Sequence, residues 1–157
     1  NVVIAGGGVL GSQIAYQCSY AGFHVTTYLR SEASVERARP KVARLHGIYT
    51  AELQAAKAGA TPVSRGLVMN QDPVGADFDK LLQKADAAYE GFHYETDLAA
   101  AVADADLVIE ALAEQPEAKE AFFSQNHHCH QFLHSAAQPS GGVHRPPCKV
   151  SCPALCQ

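Results

Sequence analysis

Positive charge is in short supply along this chain, where 12 lysine and arginine residues stand against 16 aspartate and glutamate residues. A basic surface for nucleic acid or for an anionic membrane is therefore excluded. Long apolar runs are also missing: none approaches the roughly 20 residues that a membrane-spanning helix needs. No signal-peptide pattern precedes the first apolar segment, so we expect a cytoplasmic protein. The 157 residues, 47% of them hydrophobic, suit one soluble domain with a sizeable core.

The most informative stretch is the glycine-rich turn behind the first apolar segment. Residues 2–4 form a short β-branched run typical of a buried parallel strand, and a G-x-G-x-x-G pattern follows it. In a dinucleotide-binding turn the first glycine allows a tight turn, the second admits a pyrophosphate, and the third lets the next helix approach the strand. The N–H groups of that helix then offer an anion site. The flanking strand and helix favour this interpretation over a glycine-rich turn that binds nothing. The predicted cofactor contacts in this turn are Gly6, Gly7, Gly8, Val9, Leu10 and Gly11.

The first helix is predicted over residues 10–21. Leu10, Ile14 and Cys18 recur four apart, which predicts one buried face and makes Cys18 a small core residue rather than a reactive thiol. Gly22 is placed to end the helix in the left-handed conformation. A second strand is predicted over residues 23–29.

The middle of the chain is less regular. Ser31 or Ser34 is a candidate cap for the next helix, which Pro40 either interrupts or follows as the start of another. Residues 51–58 have a helical pattern. Residues 59–75 contain several prolines and glycines and predict a surface loop or an excursion between helices.

Regular strands and helices return after residue 91. Residues 92–94 predict a short strand, Thr96 is a candidate N-cap for a helix over 97–103, and residues 106–111 predict a buried strand. Pro116 lies where a further helix would begin. The alternation of strands and helices predicts an α/β fold with a doubly wound parallel sheet of the Rossmann type.

Two motifs give the chain a family resemblance, one over residues 3–15 and a more specific one over residues 105–119. On the basis of these motifs, residues 1 to about 123 resemble the NAD-binding domain of the 3-hydroxyacyl-CoA dehydrogenase family. Within the family, the resemblance is nearest to the branch acting on small 3-hydroxy acids, diketones or carnitine-like substrates. The resemblance implies an oxidoreductase of fatty acid metabolism that moves hydride between the 3-hydroxyl carbon of an acyl substrate and a nicotinamide. It also implies a homodimer for the full-length enzyme.

The resemblance further implies contacts from the turn at residues 6–11 to the pyrophosphate, and from Glu114 and Lys119 to the cofactor. Glu114 would lie just past the carboxyl end of a strand, where open sheets bind ligands. The alternative is a solvated charge pair at a helix start. Glu110, within the preceding strand, is interpreted as structural.

The end of the second strand departs from the family pattern. An NAD site usually has an acidic residue there to bind the adenosine ribose, but this chain has Leu29 followed by Arg30 and Ser31. An arginine and a hydroxyl suit a 2′-phosphate and favour NADP, whereas NAD is the family default. Glu32 could still supply the carboxylate, so both cofactors stay open, with Leu29 and Arg30 as candidate contacts.

The tail at residues 124–157 does not continue the family pattern. It is rich in possible metal ligands, but the Cys-x3-Cys-x3-Cys spacing of residues 148–156 is not a usual zinc spacing, and no metal site is predicted. Read one base later through suitable synonymous codons, residues 144–157 spell TGRPAKFLALHFA, which resembles the family segment that ends in Leu-His-Phe. We therefore interpret the tail as frameshifted, irregular and disordered.

This interpretation has a functional consequence. No residue is assigned to the family's catalytic histidine, serine or glutamate. His24, His46 and His93 match no catalytic position and are predicted at the surface or the edge of the core. We expect this truncated chain to fold as a cofactor domain with little or no turnover; the alternative is a non-catalytic or regulatory nucleotide-binding module.

Overall fold

A computed structural model describes residues 1–68 and 75–112 together with a short strand at 132–134. In chain order the elements are β1 (Val2–Ala5), α1 (Val9–Ala21), β2 (Val25–Tyr28), α2 (Glu32–Lys57), α3 (Arg65–Val68), α4 (Phe78–Glu90), β3 (His93–Glu95), α5 (Leu98–Val102), β4 (Leu107–Glu110) and β5 (Phe132–His134).

The strands form one parallel sheet in the order β3-β2-β1-β4-β5. The central strand is β1, which pairs Val3 with Thr26 of β2 on one side and with Val108 of β4 on the other. The chain thus leaves β1 toward one edge and later returns to its opposite side. This arrangement confirms the predicted doubly wound α/β fold.

Alternate side chains of β1 enter two different cores, as the pleat of a strand requires. Val2 and Ile4 pack on the side of Ala15 from α1. Val3 and Ala5 pack on the opposite side, against a cluster that includes residues of α5. All four β1 side chains are buried, so the glycine turn starts from a fully buried strand.

Helix α1 contributes mainly tyrosines to the layer that it forms with α2 and α4. The Tyr16 hydroxyl donates to the carbonyl of Ala85 at 3.0 Å, and the Tyr20 hydroxyl donates to the carbonyl of Leu67 at 2.7 Å. Both side chains are buried, and each hydroxyl has the partner that burial requires. The pKa of Tyr20 is raised to about 12, mainly because burial disfavours the charged phenolate.

The predicted buried face of α1 was wrong. Leu10 is 53% exposed, and Ile14 and Cys18 are only half-buried. Because tyrosines can bury their rings once the hydroxyl finds an acceptor, the face with Tyr16 and Tyr20 turns inward instead. Gly22 does end the helix with φ +98°, as predicted.

Helix α2 corrects another expectation, because it runs unbroken through Pro40. Proline removes the N–H that would bond the carbonyl of Glu36, but both residues are exposed, so water can bond that carbonyl instead. The helix absorbs the segment predicted separately at residues 51–58. Ser31 is its N-cap residue but makes no capping hydrogen bond with its side chain.

Smaller differences concern element ends. The second strand is shorter than predicted, and Phe23 is exposed. Asp97, not Thr96, caps α5, since its carboxylate accepts the N–H of Ala100 at 2.9 Å. The predicted excursion at 59–75 contains the helix α3, whose Leu67 and Val68 are buried. No helix in the described segments has the length and apolarity that crossing a bilayer requires.

Part of the predicted irregular tail is a regular strand. Residues 132–134 form β5, which pairs in parallel with β4. An unpaired strand edge offers a row of N–H and C=O groups to any extended segment within reach, which accounts for the pairing. The rest of the tail lies outside the described residues.

Candidate functional site at the glycine turn

The glycine turn lies at the carboxyl end of the central strand. Residues 6–8 follow β1 directly and lead into α1. The neighbours of β1 are β2 and β4, which the chain reaches in opposite directions. Open α/β sheets bind ligands at this position, just beyond the carboxyl ends of the strands where the winding reverses.

The first glycine is required by the chain's own geometry. Gly6 has φ +123°, a conformation that residues with a side chain rarely adopt. A Cβ there would stand 2.4 Å from the carbonyl oxygen of Ala111. The Gly6 N–H donates to the carbonyl of Tyr28 at 3.1 Å, so the turn is fixed to the end of β2.

The third glycine lets α1 lie directly on the turn. A Cβ on Gly11 would stand 2.1 Å from the carbonyl oxygen of Gly6, which is far inside van der Waals contact. Gly7 is also tightly surrounded, because its Cβ would meet the side chains of Leu29 and Ala38 at 2.8 and 3.0 Å.

The middle glycine has different surroundings. A Cβ on Gly8 would meet nothing within 4 Å, and its φ of −66° is open to any residue. The protein therefore leaves room above Gly8. A phosphate group that approaches the backbone closely would use that room.

The start of α1 supplies backbone donors to the same space. Gly8 is the N-cap residue without a side-chain capping bond, and no acidic residue occupies the first turn. The helical ladder begins with the Ser12 N–H donating to the Gly8 carbonyl at 3.0 Å, so the N–H groups of residues 9–11 precede the ladder. Val9 and Leu10 are 70% and 53% exposed. This end of the helix can receive an anion.

The end of β2 has a buried leucine where the ribose-binding carboxylate would stand. Leu29 is 7% exposed and packs with Val35 and Ala38. Its side chain shapes the floor of the turn and offers no polar contact to a ligand. The next residue, Arg30, is exposed.

A cluster of two hydroxyls and one guanidinium follows Arg30 at the start of α2. The Ser31 and Ser34 hydroxyls lie 3.0 Å apart, and Arg37 donates from Nη2 to the Ser34 hydroxyl at 2.8 Å. Sequence reasoning missed Arg37, although its position three residues after Ser34 places both on one helix face.

A second residue that the sequence did not reveal reaches the turn from α2. Lys41 donates from Nζ to the Gly7 carbonyl at 2.8 Å. The Ser12 hydroxyl donates to the same carbonyl at 3.4 Å. The two donors come from two different helices and fix one peptide of the turn.

Several predicted residues lie elsewhere. Glu110 is buried and accepts the N–H of Leu112 at 2.8 Å, which agrees with a structural role at the end of β4. His24 and His93 are exposed. His46 lies in the helix layer, 3.1 Å from the Tyr16 hydroxyl.

Other predictions fall outside the described residues. Glu114, Lys119 and the cysteines of the tail are among them. Within residues 1–68 and 75–112, no three His, Cys, Asp or Glu side chains converge to hold a metal ion.

The described geometry fits the diphosphate of a dinucleotide. It combines a turn that requires glycine at positions 6 and 11, open space above Gly8, and the N–H groups of a helix start that has no acidic residue in its first turn. Gly6, Gly7, Gly8, Val9, Leu10 and Gly11 all lie in this turn or at the start of α1.

Comparison with known families agrees with this geometry. Residues 1–133 match the model of the family described as 3-hydroxyacyl-CoA dehydrogenase, NAD binding domain. The match continues past residue 123, where we expected the resemblance to end. No curated protein matched the chain in a sequence search.

Solved structures give the same result. The chain is similar to a diketoreductase studied for catalysis on dicarbonyl compounds, with 34% identity and a TM-score of 0.58 over 80% of this chain. It is also similar to 3-hydroxybutyryl-CoA dehydrogenase from Escherichia coli K12, with 26% identity and a TM-score of 0.52 over 80% of this chain. For (S)-3-hydroxybutyryl-CoA dehydrogenase PaaH1 from Ralstonia eutropha, 21% identity and a TM-score of 0.53 over 79% of this chain show the shared fold. The matched regions span 36%, 21% and 35% of these three chains.

Proposed function

We propose that the glycine turn of this chain binds a nicotinamide dinucleotide for hydride transfer, because the chain belongs to the 3-hydroxyacyl-CoA dehydrogenase family through its NAD-binding domain. For the full-length protein we propose reversible oxidation of a 3-hydroxyacyl-CoA or a related small 3-hydroxy compound. The observation that carries the proposal is the start of α1 at Gly8, which has no side-chain cap and lies at the carboxyl end of the central strand β1.

The residues of the turn would hold the cofactor through its diphosphate. The N–H groups of residues 9–11 would donate to the phosphate oxygens, and the positive end of the α1 dipole adds to the attraction. The bound nicotinamide ring supplies the chemistry of accepting or releasing hydride. Beyond the described residues, we propose Glu114 and Lys119 as further cofactor contacts.

We further propose a preference for NADP over NAD. The end of β2 lacks the carboxylate that binds an unphosphorylated ribose, since Leu29 is buried. It offers the exposed guanidinium of Arg30 and the linked Ser31, Ser34 and Arg37 side chains instead. Guanidinium and hydroxyl groups bind a phosphate dianion well, and this group would meet the 2′-phosphate of the adenosine ribose.

Titration of the purified chain with NADPH and NADH, followed by nicotinamide fluorescence, tests the proposal. We expect both cofactors to bind, NADPH more tightly. Arg30→Met should weaken NADPH binding by about tenfold, because it removes a charge-assisted hydrogen bond, and should change NADH binding little. Arg44→Met, which removes an equal charge from an exposed position on α2, is the matched control. Tighter binding of NADH would contradict the arginine argument, and no binding of either would contradict the proposed function.

Turnover is proposed to need more than this chain. It spans roughly a third or less of its solved relatives, and no catalytic histidine is assigned in it. We expect little or no dehydrogenase activity with 3-hydroxybutyryl-CoA as substrate, even when the cofactor binds.

The full-length enzyme is proposed to be a homodimer. Re-reading the source DNA across residues 124–157 tests the proposed frameshift; an unbroken frame whose codons lack the shifted family segment would refute it.

A further inference from the structure

We propose that Lys41 positions the peptide between Gly7 and Gly8 so that the turn presents its N–H groups to the cofactor diphosphate. This inference rests on the proposed function and assigns a role to a residue outside the glycine pattern. Lys41 lies 34 positions after Gly7 along the chain, and its ammonium reaches the Gly7 carbonyl at 2.8 Å.

The contact is built into the packing of α2 against the turn. Ala38, one helical turn before Lys41, is buried, and a Cβ on Gly7 would lie 3.0 Å from the Ala38 Cβ. Residues three apart share one helix face, so Ala38 brings that face against the turn and Lys41 extends along it. Ordering a long lysine side chain costs conformational entropy, which this ammonium–carbonyl bond offsets.

The Gly7 carbonyl has a second donor on the other side. Ser12, buried in α1, lies with its hydroxyl 3.4 Å from the same oxygen. Two donors from two helices, one of them charged, therefore hold this carbonyl in one direction. Charge-assisted hydrogen bonds are the stronger kind, which makes Lys41 the dominant of the two.

The direction of the carbonyl fixes the direction of the next N–H. In a planar trans peptide the C=O of one residue and the N–H of the next point to opposite sides. While Lys41 and Ser12 hold the Gly7 oxygen on the protein side, the Gly8 N–H faces away from them. A Cβ on Gly8 would meet nothing within 4 Å, so a ligand has room to approach the backbone at this residue.

The ammonium also places a positive charge beside the anion site. The first turn of α1 carries no acidic side chain, so no carboxylate of that turn opposes the charge that Lys41 adds to the helix dipole. Lys41 thus acts on the diphosphate in two ways, through peptide orientation and through charge.

Lys41→Met tests the role, with Lys41→Arg as the rescue variant and Arg44→Met as the charge-matched control on the same helix. NADH is titrated by fluorescence, and ADP-ribose and AMP are measured as competitors, because ADP-ribose contains the diphosphate and AMP lacks it. We expect Lys41→Met to raise the Kd of NADH and of ADP-ribose by about tenfold, which is about 1.4 kcal/mol. The Kd of AMP should change less than about twofold, Lys41→Arg should recover most of the affinity, and Arg44→Met should leave it unchanged.

An NMR measurement gives a readout that does not depend on affinity. In the unliganded chain, Lys41→Met should move the backbone amide resonance of Gly8 more than those of residues in β3. Equal weakening of AMP and ADP-ribose, or NADH binding by Lys41→Met as tight as that of the unsubstituted chain, overturns the inference while leaving the proposed function intact. If the unsubstituted chain binds neither NADH nor NADPH, the proposed function itself fails.

Discussion

The two ends of helix α1 differ in what covers them. At its N-terminal end Val9 and Leu10 are exposed and no side chain caps the helix. At its C-terminal end Tyr16 and Tyr20 are buried, both hydroxyls are bonded to carbonyls of other segments, and Gly22 closes the last turn. One helix therefore has a bare end and a packed end.

The difference separates binding from stability. The bare end offers backbone N–H groups, whose directions are set by the fold and not by side-chain identity. The packed end holds the helix in place through aromatic burial and satisfied hydroxyls, which contribute to the free energy of unfolding. A substitution at one end should therefore leave the property of the other end intact, except at Gly11, where the helix lies directly on the turn.

The largest expected effect comes from the one glycine that breaks this separation. Gly11→Ala places a Cβ 2.1 Å from the Gly6 carbonyl oxygen, so α1 must move away from the turn. We expect a loss of about 3 kcal/mol in the free energy of unfolding, at the upper end for overpacking, together with loss of cofactor binding. Urea denaturation and a fluorescence titration measure the two effects. A variant as stable as the unsubstituted chain would show that the helix does not rest on the turn.

A smaller effect is expected at the packed end. Tyr20→Phe leaves the Leu67 carbonyl without its 2.7 Å donor and should cost about 1 to 2 kcal/mol of unfolding free energy, with cofactor affinity unchanged. Burial raises the pKa of Tyr20 in the folded state from 10.0 to about 12. The folded state therefore binds this proton more tightly, and the stability that it contributes is complete below pH 10 and falls as the pH rises toward 12.

Thermal unfolding from pH 8 to about 12 measures this alkaline loss. Tyr94 adds to it, because burial also raises its pKa to about 12. The melting temperature should fall less steeply above pH 10 in Tyr20→Phe than in the unsubstituted chain. Identical slopes would mean that the Tyr20 hydroxyl is not protected by the fold.

The sequence was sufficient for the parts that depend on local backbone constraints. The strand–glycine–helix order, the central buried strands and the left-handed Gly22 all follow from residue type and spacing. The predicted break at Pro40 was wrong, because the penalty for a proline inside a helix depends on whether the carbonyl that loses its donor, here that of Glu36, is open to water. The burial of residues only a few positions apart could not be ranked from hydrophobicity alone.

The tyrosine face of α1 and the two donors to Gly7 needed the structure. Tyr16 and Tyr20 can turn inward because carbonyls 69 and 47 positions away accept hydrogen bonds from their hydroxyls. No local sequence pattern signals such distant partners. Nothing in the sequence around Lys41 signals its contact with Gly7. Its role depends on where α2 crosses the turn, which is a property of the assembled sheet.

The most direct test of the account is the substitution Gly8→Ala. Its Cβ would meet nothing within 4 Å of the protein, and its φ of −66° is open to alanine, so the melting temperature should stay the same or rise slightly. If the backbone at Gly8 receives a diphosphate closely, the added methyl group should weaken NADPH and NADH binding by at least about tenfold. Unchanged stability with lost affinity is the predicted result. Affinity equal to that of the unsubstituted chain would contradict the account, because the cofactor would then not lie against Gly8.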